Sequence, residues 1–279
     1  MGVGSGGRIV KQSIVARVVA GVIANIVLGA FIAPARAADV PMPAPYAPVA
    51  RPLYSWTGCY GGVNIGGGSA NKTFTDVNGT LDPAGGTLGS HTARGVVGGG
   101  QGGCDYQTGM FLFGIAAMLD ASGIKGTNSL PNGILTDNSY MQWFATATAR
   151  AGVLAAPTLL FYGKAGGAWA HDLYNISSQN SSFTFTILNR PVNVPSSSIL
   201  ALGSASPSGW TAGAGLEWAF FGGAFTAFLE YDYMSFGTMR VNYTAVVVSG
   251  LTFPIDVRQS VNLILFGINY RFGAGGRSY

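Results

Sequence analysis

Charge is scarce in this 279-residue sequence: 9% of its residues are Asp, Glu, Lys or Arg, against about 25% in an ordinary soluble domain. Histidine and cysteine are scarcer still, with two of each, and His91, His171, Cys59 and Cys104 have no zinc-like spacing. No metal or other cofactor is expected. A basic field is missing too. The precursor carries a formal +4, but Arg8, Lys11, Arg17 and Arg36 all precede Ala38 and no acid does, so the remainder is neutral. That excludes the electrostatic footprint of a nucleic-acid binder. Disorder is excluded by the opposite test, since 48% of residues are hydrophobic. Long apolar runs are nearly absent as well. The only one, Val18 to Ala33, is broken by Asn25 and stopped by Pro34, so a helical membrane protein is not indicated.

That run has another reading. Basic residues precede it and Ala35-Arg36-Ala37 follows as a small-x-small cleavage signal, so residues 1–37 read as a secretory signal peptide, with an N-terminal membrane anchor as the alternative. Residues 38–53 contain Pro41, Pro43, Pro45, Pro48 and Pro52 and read as an extended periplasmic tether. Residues 54–279 are then one all-β domain.

Within that domain the recurrent signal is alternation of period two. Trp210, Ala212, Ala214, Leu216, Trp218 and Phe220 form one apolar face, as do Phe225, Ala227, Leu229, Tyr231 and Tyr233. Eight such strands are predicted, near 55–68, 93–106, 110–121, 139–154, 159–171, 209–220, 224–236 and 258–272. Tight turns at Gln107-Thr108-Gly109, Ala155 to Thr158 and Phe221-Gly222-Gly223 alternate with long polar loops at 69–92, 122–138, 172–208 and 237–257. Alternating stretches inside the last two, Phe183 to Leu188 and Val241 to Phe253, are expected to prolong hairpins beyond the membrane. Sorting of loops by parity has no cause in a β-sandwich. It is the rule in an outer-membrane barrel, with short turns in the periplasm and long loops outside.

The fold class predicted is therefore an eight-stranded antiparallel up-and-down transmembrane β-barrel. In hydrocarbon every backbone donor and acceptor must be paired, so a sheet that spans has to close. The stretch from Trp210 to Phe220, at about 3.3 Å per residue and a tilt of about 40°, advances roughly 25 Å, the height of an apolar band. Trp56, Trp143, Trp169, Trp210 and Trp218 are the candidate interface aromatics. Side chains fill a bore of this size, which argues against a wide diffusion pore. Parity points Arg150, Lys164, Glu217 and Glu230 inward at similar heights in the periplasmic half, where two cations beside two carboxylates would form a structural plug. An ion or proton path is the alternative.

Two motifs carry less. Gly98, Gly100 and Gly103 fit the dinucleotide glycine pattern, but a strand-like run follows where the motif needs a helix. His171-Asp172 with many loop serines could be imagined as hydrolase machinery, yet nothing fixes which serine would attack, and no enzymatic activity is expected. Cys59 and Cys104 lie about equally far from the centre of the first long loop, on neighbouring strands of an exported protein. They are either a cross-strand disulfide or two lipid-facing thiols.

Tyr54-Ser55-Trp56-Thr57-Gly58-Cys59-Tyr60-Gly61-Gly62-Val63-Asn64, with the leader, the Ala-Ala-Asp junction and the Pro-rich tether, resembles the alphaproteobacterial outer-membrane immunogenic proteins, small "porin family" barrels. Gly95 to Gln101, Gly213 to Glu217, Glu230-Tyr231 and the closing Gly267 to Phe272 support the resemblance, which covers nearly the whole mature chain. The sequence departs from the pattern at Cys59 and Cys104, where aromatics are usual, and at Ala116 and Met118, where acids are common. The resemblance implies a location in the cell outer membrane and a structural or surface-antigen role. As partners it implies outer-membrane lipid and lipopolysaccharide, the barrel-assembly machinery during insertion, and peptidoglycan or host surface ligands. Two rivals stand beside this reading: a narrow porin-like channel, and a soluble secreted β-sandwich that binds ligands.

Overall fold

In a computed structural model the described residues are 54–272, other than 80, 82, 131, 132, 180, 181, 188, 189, 248 and 249. The predicted leader (1–37) and tether (38–53) lie outside them, as do the seven residues after Phe272. The described chain is built from antiparallel strands: β1 (Gly58–Asp76), β2 (Thr87–Thr108), β3 (Phe111–Ser122), β4 (Lys125–Ser129), β5 (Leu135–Ala156), β6 (Leu159–Ser178), β7 (Phe183–Ile187), β8 (Arg190–Val194), β9 (Ile199–Ala205), β10 (Ser208–Phe220), β11 (Phe225–Ala245) and β12 (Thr252–Phe272). A single turn of 3₁₀ helix, Phe221–Gly223, joins β10 to β11.

Ten of these strands form one sheet, and β7 and β8 form a separate hairpin. The large sheet has no free edge along its main course, because β1 pairs with both β2 and β12. Register can be followed around the ring. Trp210 lies opposite Gly167, then Ala147, Ala117, Gly102, Gly61, Tyr270 and Phe225 follow, and the walk returns to β10 at Phe220. That stagger tilts the strands by about 40° to the axis. A two-layer sandwich is thereby overturned.

The strand set is larger than the eight uninterrupted strands predicted. β4 continues β3 past a break at Gly123-Ile124, both flanked by β2 and β5. β9 precedes β10 across Ser206-Pro207, both flanked by β6 and β11. Proline has no N–H to give to a ladder, so a break falls there. The long loops predicted at 69–92, 122–138, 172–208 and 237–257 are also mostly strand, since β1 runs to Asp76, β2 starts at Thr87, β6 runs to Ser178 and β11 to Ala245.

The reason is a reversal of polarity along each strand. Near the tight turns the outward face is greasy (Val63, Ile115, Phe161, Leu229, Ile268) and the inward face is polar. Toward the long-hairpin end the inward face carries Phe74, Leu88, Tyr174, Ile176, Val241, Tyr243, Phe253, Ile255 and Val257, which form one buried cluster. The outward face there is Asn, Thr, Ser and Arg, and its composition imitates a loop.

Candidate functional site: the barrel interior

The interior is organised in layers. At the tight-turn end Tyr54 and Trp56 turn inward, and Trp56 is fully buried with Tyr54, Leu112, Leu160 and Ala219. Its backbone N–H donates to Gln107 Oε1 at 2.8 Å and its indole Nε1 to the Pro157 carbonyl at 3.1 Å. Trp56 is therefore no interface anchor. The alternation of β1 continues back to Tyr54, so Trp56 faces inward with Tyr60 while Thr57 and Cys59 face outward, and the Arg271 guanidinium stacks over its ring at 5.1 Å. Trp143, Trp169, Trp210 and Trp218 are 39–54% exposed on the outer wall.

Above this floor lies a network of four charges. Arg150 donates from Nε to Asp105 Oδ1 at 2.7 Å, from a second nitrogen to Asp105 Oδ2, and from Nη1 to Glu217 Oε2 at 3.0 Å. Arg271 reaches Asp105 Oδ2 at 2.7 Å, the Trp56 carbonyl, and Glu217 Oε1 at 3.7 Å. Glu217 also accepts from Thr226 Oγ1 at 2.5 Å and Asn269 Nδ2 at 3.1 Å. Two guanidinium groups therefore face two carboxylates, and the set is neutral. Tyr60 and Tyr162 flank Arg150, 4.6 and 5.1 Å from its guanidinium carbon.

The next group is Lys164, which contacts Glu230 at 2.5 Å and Asp232 at 2.9 Å while Tyr162 donates to Glu230 at 2.7 Å. Between the two groups remains a cavity of about 30 Å³, bordered by Gln101, Met118, Thr148, Arg150 and Lys164, with room for a water or two. An apolar layer around Met118, Phe144, Phe228, Met234 and Leu263 follows. A further buried pair, Lys72 with Asp172 at 2.7 Å, lies beyond it, below the apolar cluster of the long-hairpin end.

Arg150 thus meets Glu217, and Lys164 meets Glu230, as two adjoining sets rather than one quartet. The predicted cluster left out Asp105, Asp232 and Arg271, although parity already set Asp232 on the same face as Glu230. A steric signal marks two of them. Gly114 sits opposite Asp105 and Gly213 opposite Asp232. A β-carbon at those glycines would come within 2.2 Å of Asp105 Oδ1 and 1.9 Å of Asp232 Oδ1. Arg271 was legible by parity, since Tyr270 and Phe272 on either side face outward.

The remaining candidates fall elsewhere. Cys59 and Cys104 face each other across β1 and β2, with an S–S distance of 2.05 Å, on the outer face near the tight turns. The glycine run from Gly98 to Gly103 lies within β2. His171 Nδ1 is 2.8 Å from Ser206 Oγ, but Asp172 points to the opposite face and takes Lys72, so it does not orient that imidazole. His91 Nε2 lies 2.9 Å from Ser139 Oγ, a serine buried in the interior.

Beyond the greasy belt, Asp137 near the start of β5 is held up to about 7 by burial, against a weaker opposing pull from the Tyr243 hydroxyl and Lys72. Raised above its ordinary value, the carboxyl stabilises the fold while protonated. That stability is complete in acid, drains as pH rises from about 4, and is gone above about 7. Asp137→Asn should therefore leave the long-hairpin end unchanged at pH 4 and protect it at pH 9, read by amide hydrogen exchange in β5 and β11. Equal protection of both proteins at pH 9 would refute this.

No family model matches the sequence. Two curated proteins, the 31 kDa outer-membrane immunogenic proteins of Brucella melitensis biotype 1 and Brucella suis biovar 1, are each 30% identical to it over 260 residues, covering 87% of this chain and 95% of theirs. Among solved structures, Ail, the attachment invasion locus protein of Yersinia pestis, is similar with a TM-score of 0.35 and 14% identity, covering 77% of this chain and 99% of its own. OprG of Pseudomonas aeruginosa gives 0.39 and 12%, covering 77% and 97%. The outer membrane protease OmpT of Escherichia coli gives 0.41 and 7%, covering 78% and 98%.

Proposed function

This chain belongs to the family of the 31 kDa outer-membrane immunogenic proteins and is a protein of the cell outer membrane; from that premise we propose that it is a sealed barrel of eight staves whose work is structural and surface-displaying. β4 and β9 extend two of those staves, the tight turns face the periplasm and the long hairpins face outward. The observation that carries the reading is the filled interior. Trp56, the Asp105–Arg150–Glu217–Arg271 network and the apolar layers above leave a cavity of about 30 Å³ beside Arg150, too small for a solute. Buried charges that compensate one another in this way favour packing over transport.

Purified protein in planar bilayers is expected to stay electrically silent. Discrete conductance steps altered by Arg150→Ala or Glu230→Ala would establish the narrow channel instead. Surface ligands, contact with peptidoglycan and delivery by the barrel-assembly machinery belong to the same reading and rest on kinship alone. Catalysis is no part of it.

A further inference from the structure

The charges outside the barrel are one-sided. Among the described residues every carboxylate is buried except Asp256, and Arg240 takes that one, with Nε at 2.8 Å from Oδ1. Three other exposed cations, Arg94, Lys125 and Arg258, have no acidic partner among the described residues, and all three lie toward the long hairpins. Arg94 and Lys125 are directly opposite each other on β2 and β4, both facing outward. Directly opposed like charges, with β-carbons about 5 Å apart, repel unless an anion lies between them.

A shallow open groove of about 380 Å³ lies on the outer wall beside Arg94, across β2, β1, β12 and β11 at the level of Gly67 to Ser69. Arg94 stands at its head, beside Ser69 and Asn262, and Tyr231 donates to Asn262 Oδ1 at 2.7 Å. Gly67 forms its floor, with Ile264 paired beside it. A β-carbon on Gly67 would find only a carbonyl oxygen at 4.0 Å, so the missing side chain leaves space on the wall. Height matters here. Ser69 is as many residues from Cys59 as Phe220 is from Trp210, a length that carries the strand about 25 Å and so to the upper edge of the hydrocarbon.

The geometry points to a binding site for one phosphate-bearing lipid of the outer leaflet: its phosphate lies between Arg94 and Lys125, and one acyl chain lies in the groove over Gly67. Arg258, further out on β12, adds attraction without touching the groove. The inference rests on the orientation proposed above, and names the partner of that outer face. Phosphate answers the charge, and a chain of methylenes answers the greasy floor, so neither free phosphate nor an uncharged lipid satisfies both halves.

The test uses the full processed chain, folded in a non-ionic detergent, with bisphosphorylated lipid A as probe and titration followed by native mass spectrometry. Retention of heat-modifiable migration shows that each protein is a folded barrel; its loss in the unaltered protein would sink the barrel reading itself, a separate failure. Dephosphorylated lipid A should bind about tenfold or more weakly, and so should the phosphorylated form to the Arg94→Gln, Lys125→Gln double variant. Gly67→Leu should weaken lipid A at constant charge. Arg240→Gln should change nothing, because Asp256 already takes that charge. Equal binding by the double variant overturns the site, as does equal weakening by Arg240→Gln, indifference to dephosphorylation, or displacement of the lipid by millimolar inorganic phosphate.

Discussion

Arg150→Met lowers the stability of the folded barrel by about 3 kcal/mol or more, seen as a fall in the temperature at which detergent-gel migration shifts. Methionine fills similar space but removes the fork that joins Asp105 and Glu217, leaving one uncompensated negative charge where no bulk water reaches. Arg271 still touches Asp105 and lies 3.7 Å from Glu217, which keeps the loss toward the lower end of what breaking a buried pair costs. Arg150→Lys falls between, since an ammonium cannot span both carboxylates with the same geometry. The double variant Arg150→Met, Glu217→Gln loses less than the two single changes together, because the second change removes the stranded charge. An unchanged midpoint for Arg150→Met would remove the electrostatic basis of the plug.

Gly114→Val acts on the same network from outside the list of charged residues. Its β-carbon would stand 2.2 Å from Asp105 Oδ1 and 2.8 Å from the Cys104 carbonyl, so the carboxylate or the β2–β3 ladder must move. A shift of Asp105 releases both guanidinium groups together, and the expected loss is about 3 kcal/mol from overpacking plus broken pairing. Gly109→Ala provides the contrast. It occupies the turn after β2, where a β-carbon meets open space but φ is +58°, so it should cost only about 1 kcal/mol. The melting shifts of the two variants measure the difference. Similar shifts would mean that backbone freedom, rather than room for Asp105, explains the glycine at 114.

Parity made much of this molecule legible. From the alternation in 209–220 and 224–236 the outward and inward faces follow residue by residue, and Glu217 and Glu230 are buried where that alternation puts them. The outer halves of the hairpins were harder to read. Tyr174 to Ser177 alternates as the membrane part does, but with the faces exchanged: Tyr174 and Ile176 are buried inside while Asn175 and Ser177 face outward. Trp56 was legible by the same parity, since it lies three residues before the outward-facing Cys59 and so turns inward; its indole made it look like an interface anchor. Parity turns Asp232 inward with Glu230, but which cation Asp105 or Asp232 meets depends on the register that sets each opposite a glycine. A glycine says nothing about what leans over it until register is known, and register comes from the ring as a whole.

The meeting of first and last strands has one more consequence. Cys59 pairs with Phe272 and Asp76 with Ile255, so the two ends of the described chain are neighbours along the full length of a seam. A ring of this kind has no privileged place to be cut. A gene rearranged so that translation starts between β11 and β12, with the former ends tied by a short linker, would encode the same set of rungs in a new order. Topological origin and stability are therefore separable in this protein.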